Sequence, residues 1–269
     1  MSETDSLPDT LSLQIDATGV AQLTLRRPAA GNALDLALAA GLVQAARRCA
    51  DDPAVRCVLL AAQGRFFCAG GDVAFMAASA REQSDGMQAL VSAVHQAVEI
   101  FATMAKPMVC AVQGTAAGGG LGLALAGDLV LAAESAQFVA GYPNVGLSPD
   151  AGISWLLPRL IGLRRAQALL LGQTRYGAAQ AEAIGLITQC VPDAELAAAA
   201  LAAARQLAAG PTQALGETRA LLRAAYQREL PAHLDDERLR IVAAASRSDG
   251  REGMAAFLDK RPAAFGRGG

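Results

Sequence analysis

Between residues 108 and 127 the chain runs twenty positions without a charged side chain, changing midway from β-branched and aliphatic residues to glycine and alanine. A membrane-crossing helix has about that length, but the glycine density and the change of character suit a buried strand, a tight turn and a buried helix better. The turn lies within Ala111-Val-Gln-Gly-Thr-Ala-Ala-Gly-Gly-Gly-Leu-Gly-Leu-Ala-Leu-Ala-Gly-Asp128. Its three successive glycines, Gly118, Gly119 and Gly120, put no side chain between the peptide N–H groups and whatever lies above them. Helix formers follow, so the glycines stand at a helix N-terminus, where unpaired N–H groups favour an oxyanion or a phosphate. Glycines also serve simply to pack a helix closely on a strand, and this stretch alone leaves both readings open.

Composition narrows the choice. In 269 residues, 53% of them hydrophobic, there is ample material for a buried core. The net charge of −2 and the absence of a Lys/Arg block offer no electrostatic footprint for a nucleic-acid partner. Five cysteines are scattered without CxxC spacing, and only His95 and His233 could join them around a metal. They read as reduced thiols of a cytoplasmic protein, with no metal site. Residues 1–10 are polar and acidic, unlike a signal peptide, and read as a loose tail.

Along the chain, residues 11–16 and 22–26 flank Thr18-Gly19 as a β-hairpin. Residues 36–50 form a helix that Asn32 or Asp35 is placed to cap. A strand over 55–61 leads to the second glycine element, Phe67-Cys-Ala-Gly-Gly-Asp72. Residues 79–86 read as a polar loop over a site, or as plain surface. The helix over 87–105 carries Val91, Val94, Val98 and Phe101 at helical spacing, with His95 at the edge of that face, where a histidine is either structural or catalytic. Strands over 129–132 and 138–140 continue the alternation, which implies βαβ units in an α/β protein with mostly parallel strands. Asp150 follows Pro149 just ahead of an apolar helix; an aspartate there is an N-cap or a catalytic carboxylate. Beyond residue 160 helices over 164–171, 178–184, 194–209, 212–229, 234–245 and 252–259 follow one another, with residues 186–191 the only late strand.

Taken together, Arg26-Arg27-Pro28 with Asn32-Ala33-Leu34, the Phe67-to-Asp72 turn, Lys106-Pro107, the triple-glycine stretch, Asp128 and Gly146-Leu-Ser-Pro-Asp-Ala-Gly152 resemble the enoyl-CoA hydratase/isomerase (crotonase) superfamily over residues 11–265. The resemblance implies a crotonase-like spiral of ββα repeats over residues 1–200, followed by a helical trimerisation region over 201–269, assembled as trimers or dimers of trimers. It implies an acyl-CoA thioester as substrate, with coenzyme A arriving as part of it and no separate cofactor. Backbone N–H groups of Gly71 and Gly119 would hold the thioester oxygen, while Ala69, Gly70, Asp72 and Lys260 would bind the coenzyme A portion. Fixed donors of this kind stabilise a developing oxyanion by about 3–4 kcal/mol each.

The side chains above that hole depart from the syn-hydratases, whose paired glutamates fall on Gly122 and Tyr142. Asp150, in its Leu-Ser-Pro-Asp-Ala-Gly context, resembles the proton-shuttling aspartate of the ring-1,2-epoxyphenylacetyl-CoA isomerase and Δ3,Δ2-enoyl-CoA isomerase branch. The expected activity is therefore an acyl-CoA isomerisation through an enolate, with His95 and Tyr142 as auxiliary candidates. Rival expectations are an enoyl-CoA hydratase, a 4-chlorobenzoyl-CoA-type dehalogenase using Asp150 and His95, and a non-catalytic binding protein of the same fold.

Overall fold

The computed structural model describes residues 7–266. Strands β1 (Leu11–Ile15) and β2 (Val20–Leu25) form the expected antiparallel hairpin, with Leu11 opposite Leu25. The Asp16 carboxylate accepts the Thr18 N–H in the turn at 2.8 Å, and Gly19 takes the left-handed φ of +84° that closes it. Residues 1–6 of the expected tail lie outside the described residues; Pro8 is packed, since a Cβ on Gly41 would stand 2.6 Å from its ring.

The hairpin begins a six-stranded sheet in the order β1-β2-β3-β5-β7-β10, where β3 is Cys57–Ala62, β5 Met108–Val112, β7 Leu129–Ala133 and β10 Gln189–Val191. All pairings after the hairpin are parallel. A second sheet, β4-β6-β8-β9, is built from β4 (Phe66–Cys68), β6 (Thr115–Ala117), β8 (Gln137–Val139) and β9 (Tyr176–Gly177). After the hairpin, three successive turns of the chain each give one strand to each sheet and then helix. Thus β3 and β4 precede α2 (Val73–Arg81) and α3 (Gly86–Thr103), β5 and β6 precede α4 (Gly119–Leu125), and β7 and β8 precede α5 (Ile153–Leu170). This is the ββα succession that the resemblance implied. The uncharged run over 108–127 is thereby β5, β6 and α4, and no helix among the described residues is long and apolar enough to cross a membrane.

Two expectations are corrected. The late strand over 186–191 has a companion in β9, antiparallel to β8; at two residues it is too short to leave a periodicity. Residues 79–86 are not one loop: α2 continues through Arg81 with Ser79 buried, and only residues 82–85 lie outside a helix. The cause is a cap, since the Asp72 carboxylate accepts the N–H groups of Ala74 and Phe75 at 3.1 and 3.2 Å.

One face of the large sheet meets α1 (Leu36–Asp51), α3 and α4 in a core centred on Phe67, Phe101, Phe138 and Leu121. Asp35, not Asn32, caps α1 by accepting the Leu38 N–H at 2.8 Å. The opposite face is covered by α7 (Leu196–Ala208), whose Ala200, Ala204 and Ala208 pack on Cys57, Val109 and Leu131. Covering on both faces explains why these strands read as continuous apolar runs. Residue 200 falls inside α7, and the chain leaves the sheet only after Gly210. There α8 (Thr212–Ala224), α9 (Leu230–Ala245) and α10 (Ser248–Leu258) follow. Arg219 anchors them: its side chain, 8% exposed, pairs with Asp128 at 2.7 Å and donates to the carbonyls of Phe101, Met104 and Lys106.

Candidate active site

Two glycine turns, one after β4 and one after β6, lie back to back. A Cβ on Gly120 would be 2.4 Å from the Cys68 carbonyl oxygen, and one on Gly70 would be 2.9 Å from that of Ala117. At Gly70, φ is +94°, so backbone freedom and the absence of a side chain are both required there. Asn32, fully buried, braces this region, accepting the Arg27 N–H and donating to the carbonyls of Gln63 and Phe66. The Leu34 N–H binds the Gly70 carbonyl while the Asp72 N–H binds that of Leu34, which leaves the Gly71 N–H between them with no acceptor among the described residues. The Gly119 N–H, first in α4, likewise has none. Since α4 has only seven residues, these first N–H groups matter more than any macrodipole.

Both glycines line a cleft of about 460 Å³ whose walls come from α2, α3 and residues 140–150. Its ionisable side chains are His95, Tyr142 and Asp150; Met76, Met87, Leu90, Val91 and Val94 make an apolar wall. An Asp150 oxygen lies 3.5 Å from where a Gly119 Cβ would stand. That oxygen, Oδ1, accepts a 2.5 Å hydrogen bond from the Tyr142 hydroxyl. Burial, then the neighbouring Asp150 charge and this hydrogen bond, push the phenol well above its ordinary range, so it stays a neutral donor. From α3, His95 Nε2 accepts the Ala151 N–H at 3.2 Å.

Asp150 does not cap α5 with its side chain: Gly152 occupies the cap position, and the carboxylate turns into the cleft. Gly122, where the first hydratase glutamate falls, is fully enclosed, and a Cβ there would be 2.4 Å from the Ala151 carbonyl oxygen and 2.6 Å from its Cβ. No longer side chain fits without moving the Asp150 turn.

Of the residues singled out in the sequence, Ala69, Gly70, Gly71, His95, Gly119, Tyr142 and Asp150 line the cleft together. Asp72 and Lys260 do not. Besides capping α2, Asp72 is paired with Arg27 at 2.9 Å, whose guanidinium holds its carboxyl below the usual carboxylate range. Both oxygens are thus engaged inside the protein, Oδ2 by Arg27 and Oδ1 by the first N–H groups of α2. Lys260 sits exposed just past α10, away from the cleft walls. Arg27, whose guanidinium also donates to the Ala33 carbonyl, was legible only as part of a motif. Nothing local marks it as the partner of an aspartate 45 positions away.

Residues 16–268 match the family described as enoyl-CoA hydratase/isomerase. The chain is 40% identical over 248 residues to the 1,2-epoxyphenylacetyl-CoA isomerase of Escherichia coli, covering 92% of this chain and 95% of that protein. Identity to 4-chlorobenzoyl coenzyme A dehalogenase-2 of an Arthrobacter species is 31% over 245 residues, covering 90% and 88%. Among solved structures, an enoyl-CoA hydratase from Polaromonas sp. JS666 superposes with a TM-score of 0.91 at 34% identity, covering 95% of this chain and 99% of that one.

Proposed function

The chain belongs to the enoyl-CoA hydratase/isomerase family, and we propose that within it the protein is an acyl-CoA isomerase with Asp150 as its single acid/base. The thioester oxygen accepts hydrogen bonds from the Gly71 and Gly119 N–H groups, Asp150 removes a proton from the acyl chain, and the enolate electrons rest on that oxygen. Asp150 then returns the proton to another carbon, shifting the double bond. Each backbone donor contributes about 3–4 kcal/mol toward the enolate. The Tyr142 hydroxyl holds Oδ1, which leaves Oδ2 to carry the proton.

The observation that carries this reading is the lone carboxylate. Among the described residues Asp150 is the only Asp or Glu lining the cleft, and Gly122 is too tightly packed to be replaced by a second acid. Hydration of a 2-enoyl-CoA needs one group to activate water and a proton for the α-carbon; with one carboxylate it is poorly served. General acid–base help is worth about two to four orders of magnitude. Crotonyl-CoA should therefore be hydrated at least about a hundredfold more slowly than a 3-enoyl-CoA is isomerised, both followed by the conjugated thioester absorbance. Faster hydration would make the protein a hydratase and require another water-activating group.

A dehalogenase reading draws on Asp150 and His95 sharing the cleft. It is weakened because the His95 Nε2 lone pair is already engaged by the Ala151 N–H. Chloride release from 4-chlorobenzoyl-CoA tests it directly. Further parts of the proposal are a homotrimer or dimer of trimers built on α8 to α10, Lys260 reaching a nucleotide in that assembly, and residence in the reducing cytoplasm, which suits five unpaired cysteines. Coenzyme A enters only as part of the substrate.

A further inference from the structure

We infer that His95 is a positioning residue: its unprotonated Nε2 holds the Ala151 N–H and so keeps the Asp150-Ala151-Gly152 turn in the conformation that presents the Asp150 carboxylate to the cleft. The inference rests on the reading of Asp150 as the acid/base. The turn carries two successive left-handed residues, Ala151 at φ +48° and Gly152 at φ +76°. Glycine adopts that region freely, but an alanine does so at a cost from its Cβ and needs to be held there. Ala151 is fully buried, and its carbonyl and Cβ press against Gly122, so its N–H is cut off from solvent. His95 Nε2, at 3.2 Å, is its partner. Removing that acceptor leaves a buried N–H unsatisfied inside a strained turn, which then relaxes and takes Asp150 with it.

An imidazole nitrogen that accepts a hydrogen bond carries no proton, so the ring is neutral with its hydrogen on Nδ1. A second proton on Nε2 would set two donors against each other and release the turn. The ionisable groups that share the cleft with His95 are Asp150 and the Tyr142 hydroxyl. Among the helices packed on α3, α4 has no charged residue and α2 has only Arg81, in its last turn. The charges of α1 lie at its C-terminal end, which Lys106 ties to the residues just beyond α3; from α8, Arg219 and Arg223 bind carbonyls near the end of α3. On α3 itself Glu99 lies one turn beyond His95, and Asp150 is the carboxylate that shares the cleft lining with the imidazole.

Carbonyl-labelled aspartate combined with nitrogen-labelled alanine reports only the Asp–Ala peptide links, at residues 16–17, 150–151 and 193–194. In the parent protein the 150–151 amide resonance should move with pH in step with the His95 ring protons, and in His95→Gln it should stay fixed over that range. A resonance that ignores the ring's titration, or moves identically in His95→Gln, overturns the inference whatever reaction the protein catalyses. In turnover of a 3-enoyl-CoA, His95→Leu should lower kcat about tenfold with KM little changed, as loss of one part-buried hydrogen bond to a buried N–H implies. The side-chain oxygen of His95→Gln can accept the same N–H, so it should restore most of that loss and carry the acid limb of kcat to lower pH. Equal loss in both variants, with an unmoved acid limb, would instead make the imidazole itself a proton carrier and sink the positioning role. A parent protein without 3-enoyl-CoA turnover refutes the isomerase reading, and the resonance measurement then decides the positioning role alone.

Discussion

At the scale of single residues, the Asp150 carboxylate is held by Tyr142 and the next residue's N–H by His95, while the proposed reaction needs only the remaining Asp150 oxygen. Asp150→Asn keeps the size and the hydrogen bond from Tyr142 but cannot accept a proton from carbon. Acyl-CoA binding should stay within a few-fold, and isomerisation should drop at least about a hundredfold, the lower end of general acid–base contributions. Isothermal titration with a saturated acyl-CoA and the isomerase assay on one preparation separate the two effects. Turnover near that of the parent would remove Asp150 from the chemistry. Asp72 makes the opposite case, since a carboxylate that looks available in a glycine turn is consumed by Arg27 and the first N–H groups of α2.

Between elements, the decisive contact is that of α4 on the turn before α5. Gly122 lets the two approach until a Cβ would overlap the Ala151 carbonyl at 2.4 Å. Gly122→Ala gains helix propensity, about 1 kcal/mol, but the added carbon forces the helix and the turn apart, an overpacking cost of about 1–3 kcal/mol. The overlap is with backbone, so relief has to come from moving the turn that carries Asp150. We expect a lower denaturation midpoint and a larger proportional loss of kcat than of acyl-CoA affinity. A variant as active as the parent would mean that the turn is free to shift without consequence.

For the molecule as a whole, buried thiols make an alkaline limit predictable. Burial pushes Cys49, Cys57 and Cys68 up to about 12. Above the ordinary thiol range, near pH 9, the unfolded chain sheds these protons while the folded chain keeps them. The thiol contribution is then level below about pH 8, and it costs stability as pH rises toward 12, by about 1.4 kcal/mol per pH unit for each thiol. Guanidinium midpoints at pH 7 and 10 should differ accordingly, and Cys57→Ala should reduce the slope by one proton. Assembly is the other whole-molecule question. Leu222, Ile241 and Phe257, at 68%, 70% and 84% exposure, give α8, α9 and α10 an apolar surface on the isolated chain. Light scattering should return three or six times the 27.5 kDa chain mass, and Phe257→Glu should shift it toward the single chain. A parent protein that is monomeric at micromolar concentration would refute the trimer.

The strands and helices were legible in order because apolar runs between glycine and proline punctuation are local signals, and a buried sheet covered on both faces makes them strong. The two glycine turns were legible for a related reason, since a left-handed backbone at Gly70 and the close approach of Gly120 to Cys68 demand glycine and leave a mark in the sequence. What only the tertiary structure decided depends on residues far apart in the chain. Arg27 meets Asp72 and the His95 imidazole meets the Ala151 N–H across 45 and 56 positions, and no periodicity reports such pairings. The same holds for Gly122, which reads as one more small residue of a helix until Ala151 is seen pressed against it. Side-chain type limits what chemistry Asp150 can do; which of its oxygens is free, and what holds the turn beneath it, follow from packing alone.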